Sequence, residues 1–383
     1  MKLGKKEAIF LLCYISSIVM MYVFGDIYNK PRVLWLGCSV LTVAVYATIA
    51  IRPIFTRLDL IFRFVVIALF SVAAFVSNKP QMMMYAAFIC TADLTNFRRI
   101  VITCFFTCVA MVVLVPIADL IGIVPKRVFH RGSVIAHSFG FGYYNVVPFT
   151  YFFLVLEFLY LKAIRNKKAN WIELIIIFGL NYVLYKLSTL RLAFYLVCII
   201  LVLYIILIKF NMFKLKAKPL VIACSLTFPL LFFLSIWSNS AYNTSSPLFV
   251  KMNQLLSERL DLGHQALDMF SINLFGHYIQ TIKTADTYFY VDSGFLFSLL
   301  GYGLLFTGMA LYIYTYLCHY AAKNNKKMLF IWLSSVAVFS VINNTWISLY
   351  INPILLYFPI LLKNKEQGNY NRFLSLLGYN KEL

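Results

Sequence analysis

Apolar runs of about 17–25 residues recur along this chain from end to end, and that repetition limits its fold more than any motif does. They fall at 7–24, 33–51, 60–77, 81–96, 100–121, 144–162, 171–187, 191–208, 219–238, 292–317, 329–345 and 348–362. About twenty helical residues cross roughly 30 Å of hydrocarbon, and in lipid only helices and closed barrels satisfy every backbone polar group. A barrel would alternate apolar and polar residues in segments of about ten, and that alternation is absent. The pattern predicts an all-α, polytopic integral membrane protein of about twelve transmembrane helices, a single membrane domain over 1–383. The runs at 81–96 and 348–362 are short. Pro353 and Pro359 make the last one the weakest, with an interfacial segment as its alternative.

Composition agrees. The chain is 62% hydrophobic and 13% charged, too apolar for a soluble protein of 383 residues. Its formal charge of +20 does not indicate nucleic acid, because the basic residues lie in short clusters between apolar runs. Such clusters set topology. With twelve spans both termini share one side, which holds 23 of the 34 Lys and Arg residues. The positive-inside rule makes that side the cytoplasm and the protein a multi-pass cell-membrane protein. Seven of the eight cysteines sit inside apolar runs and Cys318 directly follows one, so all read as small buried hydrophobes. The N-terminal run lacks a small-residue cleavage site and reads as an uncleaved first span.

Two segments then face outward. One is a basic loop at 122–143, within the stretch KRVFHRGSVIAHSFGFGYYN from Lys126 to Asn145. Orientation does not account for cationic charge on that side, whereas an anionic ligand does. The other is the long loop 239–291, the one long hydrophilic segment of the chain. A helix is predicted there from Ser257 as N-cap to Phe270, with Leu256, Leu260, Leu267 and Phe270 packing down and Arg259 on another face.

Three arginines lie on or near the outer side: Arg131, Arg191 and Arg259. Guanidinium groups grip phosphate oxygens through paired hydrogen bonds, so three of them converging would suit a pyrophosphate. Snorkelling to lipid headgroups is the competing reading. His130, His137, His264 and His277 are also outward, and histidine titrates near neutrality, which suits a general base. Surface histidines without a role are the alternative. Asp292 opens a span and reads either as a helix cap or as a base or hydroxyl-orienting group. Asp119 and the intramembrane acid Glu157 are weaker candidates. Gly140 and Gly142 allow a tight turn close to a ligand, and Tyr143 and Tyr144 fit sugar stacking or an interface belt. The sequence contains no Walker motif, dinucleotide fingerprint, HExxH or metal-type His/Cys spacing, so no metal or cofactor is expected.

SFGFGYYN at 138–145, LSTLRLAF at 187–194, SERLDLGHQAL at 257–267, NLFG at 273–276 and VDSGFLFSLLGYGLL at 291–305 occur in a telling order. In that order, over about 120–310, the chain resembles Wzy-type polysaccharide polymerases of the O-antigen ligase and polymerase group. Arg131 and Gly142 also match an Arg-x10-Gly spacing found in outer loops of some members. The resemblance implies an enzyme of glycosyltransferase type. It would join oligosaccharide repeat units carried on undecaprenyl pyrophosphate into surface polysaccharide (O-antigen, capsule or exopolysaccharide) at the outer face of the cytoplasmic membrane. The lipid pyrophosphate is the leaving group, and a flippase and a chain-length regulator are the implied protein partners. Arg191 and Arg259 match motif arginines that would hold the pyrophosphate, and Asp292 matches the position opening the span after the long loop. There are departures. Where relatives carry Arg before Ser-Phe-Gly-Phe and His-Pro before Asn, this chain has His137 and Tyr143-Tyr144. Ligases often carry His where Asp292 stands, which favours polymerase over ligase. A flippase or transporter of the same lipid-linked sugar is the reading from another class.

Overall fold

The computed structural model describes residues 4–50, 57–131, 134–215, 217–256, 258–280, 282–283 and 288–364. It is a helical bundle with two short antiparallel hairpins. Its helices are α1 (Lys5–Ile27), α2 (Pro31–Ala50), α3 (Arg57–Val76), α4 (Gln81–Thr91), α5 (Phe97–Leu120), α6 (Val146–Ile164), α7 (Trp171–Ser188) and α8 (Arg191–Lys209). There follow α9 (Lys218–Ser225), α10 (Thr227–Ser240), α11 (Pro247–Leu255), α12 (Arg259–Met269), α13 (Gly294–Lys323), α14 (Lys327–Ile342) and α15 (Pro353–Asn364). Among the described residues, seven helices are long and apolar enough to cross a membrane, or eight with the pair α9–α10, which bends by 42° at Leu226. The chain is therefore an all-α, multi-pass membrane protein. The expected twelve runs each hold a helix, but α2, α4, α14 and α15 are not spans by that measure.

Burial separates central from peripheral helices. In the most apolar 18-residue stretch of each helix, 67% of α6 and of α13 is buried, against 22% of α7. Large apolar residues such as Leu36, Phe106, Ile175 and Phe233 remain exposed on the outside of the bundle. In water such a surface would drive association, whereas lipid is its natural solvent.

The largest departure from expectation lies at the C-terminal end. The sequence pattern puts 329–345 and 348–362 in two spans. Instead α14 stops at Ile342 and helix resumes only at Pro353. The intervening backbone runs through the core, with Trp346, Leu349 and Asn352 almost fully buried. Buried non-helical backbone needs partners for its polar groups. Tyr14 Oη donates to the Leu349 carbonyl (2.5 Å), and Tyr314 Oη donates to that of Trp346 (2.7 Å). Cys104 and Cys108 point their thiols at the Tyr350 carbonyl (3.7 and 3.5 Å). Asn352 donates to the Trp346 carbonyl (3.0 Å) and accepts from Trp332 Nε1 (3.2 Å). Three helices thus substitute for the missing intrahelical bonds, and residues 343–352 are free to line a cavity.

A second non-helical segment is held differently. After a first α-helical turn at Gly294–Phe297, α13 runs through a π-helical stretch at Ser298–Tyr302 and breaks at Gly303, whose φ of +87° suits glycine. The backbone N–H groups freed there donate to the loop: Leu304 to Asn273 O (2.9 Å) and Leu305 to Leu274 O (3.2 Å). His277 N–H in turn donates to Leu300 O (2.8 Å). A Cβ on Gly276 would stand 2.4 Å from the Gly301 oxygen, and one on Gly303 would stand 2.4 Å from the Leu274 oxygen. The Asn-Leu-Phe-Gly motif is thus a backbone splint on a broken membrane helix.

Candidate functional site

The basic loop is a hairpin. Strands β1 (Val128–Arg131) and β2 (Val134–His137) pair antiparallel, Val128 opposite His137. Ser138 Oγ donates to the Arg127 carbonyl (2.8 Å) and closes its base. The Gly-aromatic stretch after it turns inward, with Phe141 fully buried edge-on against Tyr22 at 5.7 Å between ring centres. Gly140 and Gly142 do allow a close approach, but to protein. A Cβ on Gly142 would fall 2.0 Å from the Asp26 carbonyl oxygen, and one on Gly140 would fall 2.9 Å from Asp119 Cβ. These glycines seat the hairpin on the ends of α1 and α5.

The long loop is built to present Arg259. Helix α12 begins after Glu258, which sits in the left-handed region at φ +64°. Ser257, the expected N-cap, lies outside the described residues. The cap comes from the preceding helix: Asn253 Oδ1 accepts from the backbone N–H groups of Leu260 (3.0 Å) and Asp261 (3.1 Å). Gly263 then lets α12 lie directly on the end of α10, since a Cβ there would be 1.8 Å from Asn239 Oδ1. Leu260 is buried as expected, and Leu267 and Phe270 pack on the core. Arg259, on another face, brings Nε to 3.0 Å from Asp292 Oδ2.

Asp292 is not the cap of α13. That role belongs to Ser293, whose Oγ accepts from Leu296 N–H (3.3 Å). The Asp292 carboxylate is left to face Arg259. Residues 343–345 hold this corner. A Cβ on Gly294 would lie 2.4 Å from the Asn343 oxygen, and Asn344 Nδ2 donates to Tyr290 Oη (2.8 Å).

These pieces enclose one cavity of about 500 Å³. Its wall includes Asp26 and Asn29 from the end of α1, Arg127 from the hairpin base, Tyr143, Tyr144 and Asn145, the Arg259–Asp292 pair, and Asn343 to Thr345. Phe129 packs on both Tyr143 (4.8 Å) and Tyr144 (5.6 Å), so an aromatic cluster flanks the charged wall. The volume suits a small-molecule-sized group, and the polar wall suits one that is charged and hydroxylated.

The structure brings Arg259, Asp292, Gly142, Tyr143 and Tyr144 together, and the other expected residues whose side chains are described lie off the wall. Arg191 opens α8 as expected, but its side chain is exposed and off the cavity wall, to which its neighbour Leu190 contributes. Arg131 is in β1, and its side chain lies outside the described residues, as does that of His130. The remaining histidines are off the wall. His137 is exposed in β2. His264 packs α12 on α10, its Nδ1 3.1 Å from the Asn239 carbonyl. His277 Nε2 lies 2.7 Å from the Ser271 carbonyl and 2.9 Å from Asn273 Nδ2, inside the splint. His264 is tied to the backbone of α10 and His277 to that of its own loop, both off the wall, so neither stands as a base in this cavity. Glu157 is buried in α6 near Cys104 and Cys108, away from the wall.

Sequence reasoning missed Arg127, Asp26 and Asn343 to Thr345. Arg127 lay inside the basic stretch without a motif to single it out. Asp26 had a signal, an acid just past the first apolar run. The Asn-Asn-Thr triplet was hidden in a run that reads as a continuous span. No family model, curated protein or solved structure matches the chain.

Proposed function

We propose that this protein polymerises undecaprenyl-pyrophosphate-linked oligosaccharide repeat units into surface polysaccharide at the outer face of the cytoplasmic membrane. The observation that carries the reading is the cavity where Arg127, the Arg259–Asp292 pair and two tyrosines converge. Its motifs are those of the Wzy-type resemblance, in its order. In this reading the twelve helical runs all belong to the membrane domain, both termini are cytoplasmic, and the hairpin and long loop cover the outer side.

The chemistry follows from the wall. Arg127 and Arg259 supply guanidinium donors for the diphosphate of the donor lipid, where negative charge grows as the sugar–oxygen bond breaks. Asp292 orients Arg259 through the 3.0 Å contact and keeps that cation on the wall before substrate arrives. Tyr143 and Tyr144 offer ring faces to a pyranose. The bond energy of the lipid pyrophosphate drives transfer, so no nucleotide is needed. Arg127 takes the place that Arg191 holds in the motif expectation, because Arg127 is on the wall and Arg191 is not.

The test is purified protein in detergent or liposomes, given lipid-linked repeat units and scored for polymer on gels. A ladder of lengths supports the reading. Lipid-linked units that change leaflet without joining would instead show a flippase and overturn it.

A further inference from the structure

Asp26 and Asp292 are both among the residues lining the cavity, and they differ. Asp292 is engaged by Arg259. Its carboxylate is already turned to a cation of the wall. Asp26 is placed otherwise. It sits in the π-helical stretch Met21–Ile27 that ends α1, a geometry frequent at functional sites. Gly142 packs against its own carbonyl, which fixes the backbone there. Asp26 is one of the residues lining the cavity, and among the described residues its buried Oδ2 has no hydrogen-bond partner. Thr150 and Tyr350 line the same side, and Thr150 Oγ1 is 2.7 Å from Tyr22 Oη. A buried carboxylate oxygen left without a donor calls for a hydroxyl or water brought by whatever enters.

We infer that Asp26 is the catalytic base that takes the proton from the acceptor sugar hydroxyl. This rests on the polymerase reading above. The acceptor oxygen forms a bond to the anomeric carbon of the donor sugar. The bond from that carbon to the diphosphate oxygen breaks, and its electron pair leaves on the diphosphate beside Arg127 and Arg259. The hydroxyl proton passes to the Asp26 carboxylate, and the resulting carboxylic acid returns it to water through the open cavity. Products are the elongated glycan and free lipid diphosphate, with charge and protons balanced.

The experiment compares wild type, Asp26→Asn and Asp26→Glu in polymerisation of lipid-linked repeat units across pH, with binding of the same units measured in parallel. Wild type must first form polymer. If it does not, the polymerase reading fails, and Asp26 with it. Given an active wild type, Asp26→Asn is expected to bind donor normally and to lose about a hundredfold or more in rate. Asp26→Glu, which retains a base, should keep measurable activity with a displaced acid limb in its pH–rate profile. An Asp26→Asn enzyme within about threefold of wild type would overturn the inference. Should Asp26→Asn fail to insert, the Asp26→Glu profile decides. An acid limb unchanged from wild type assigns the base elsewhere.

Discussion

Arg259 and Arg191 occupy the same place in their helices and meet opposite fates. Each is the first residue of a helix, α12 and α8, and each follows a residue in non-helical backbone. Arg259 is drawn inward by a borrowed cap at Asn253, by the Gly263 contact on α10 and by Asp292. At Arg191 the N-cap Leu190 offers no side-chain cap among the described residues, and the Arg191 side chain stays at the surface. Helix-start position and residue type were equal, so the difference comes from which chain segments lie against the first turn.

The comparison breaks most directly on activity. Arg259→Ala should cut polymer formation by about a hundredfold to a thousandfold, the usual loss of one preorganised charge-stabilising group, with the protein still inserted. Comparable activity in Arg259→Ala and wild type would remove Arg259 from the site. Arg127→Ala should fall in the same range by the same assay. Next in size is the Arg259–Asp292 coupling. A double-mutant cycle with Arg259→Ala and Asp292→Ala, read in kcat/KM, should show an interaction of about 1–3 kcal/mol, and additive losses would mean the 3.0 Å contact has no functional consequence.

The frame itself is tested by Gly276→Ala. With φ at +84° and the Gly301 oxygen in the way, the substitution should loosen the splint by about 1–2 kcal/mol or more, read as faster proteolysis of 270–280. Smallest of all, Arg191→Ala should change polymerisation by less than about threefold, since surface substitutions away from a site usually cost little and Arg191 is exposed and off the wall. A collapse of activity in Arg191→Ala would restore the motif expectation and undo the contrast with Arg259.

The two non-helical segments explain why part of the site was legible and part was not. Asn-Leu-Phe-Gly at 273–276 stands out in sequence because its own turn is local, with Asn273 Oδ1 accepting from the Phe275 and Gly276 N–H groups, although the helix it splints lies far along the chain. Residues 343–352 do not stand out, because their partners Tyr14, Cys104, Cys108 and Tyr314 come from distant helices. An Asn-Asn-Thr triplet at the end of the run 329–345 reads as the last turn of a span until those partners are seen. The basic loop shows the same limit. Its charge is plain in sequence, while the hairpin that leaves Arg127 on the cavity wall depends on pairing across Val128 and His137.

The sequence alone determined that this chain is helical and lives in lipid, because hydrophobic length and backbone satisfaction leave no other solution. It also marked Arg259, Asp292 and the Gly-aromatic stretch, since each sits in a compact local pattern. Only the tertiary structure decided that Arg259 faces Asp292 across 33 positions of chain, that Arg127 joins them in place of Arg191, and that Asp26 shares their cavity. The physical reason is range. Apolar periodicity and turn chemistry act over a few residues, whereas a cavity wall is assembled from ends of helices that meet only when the bundle packs.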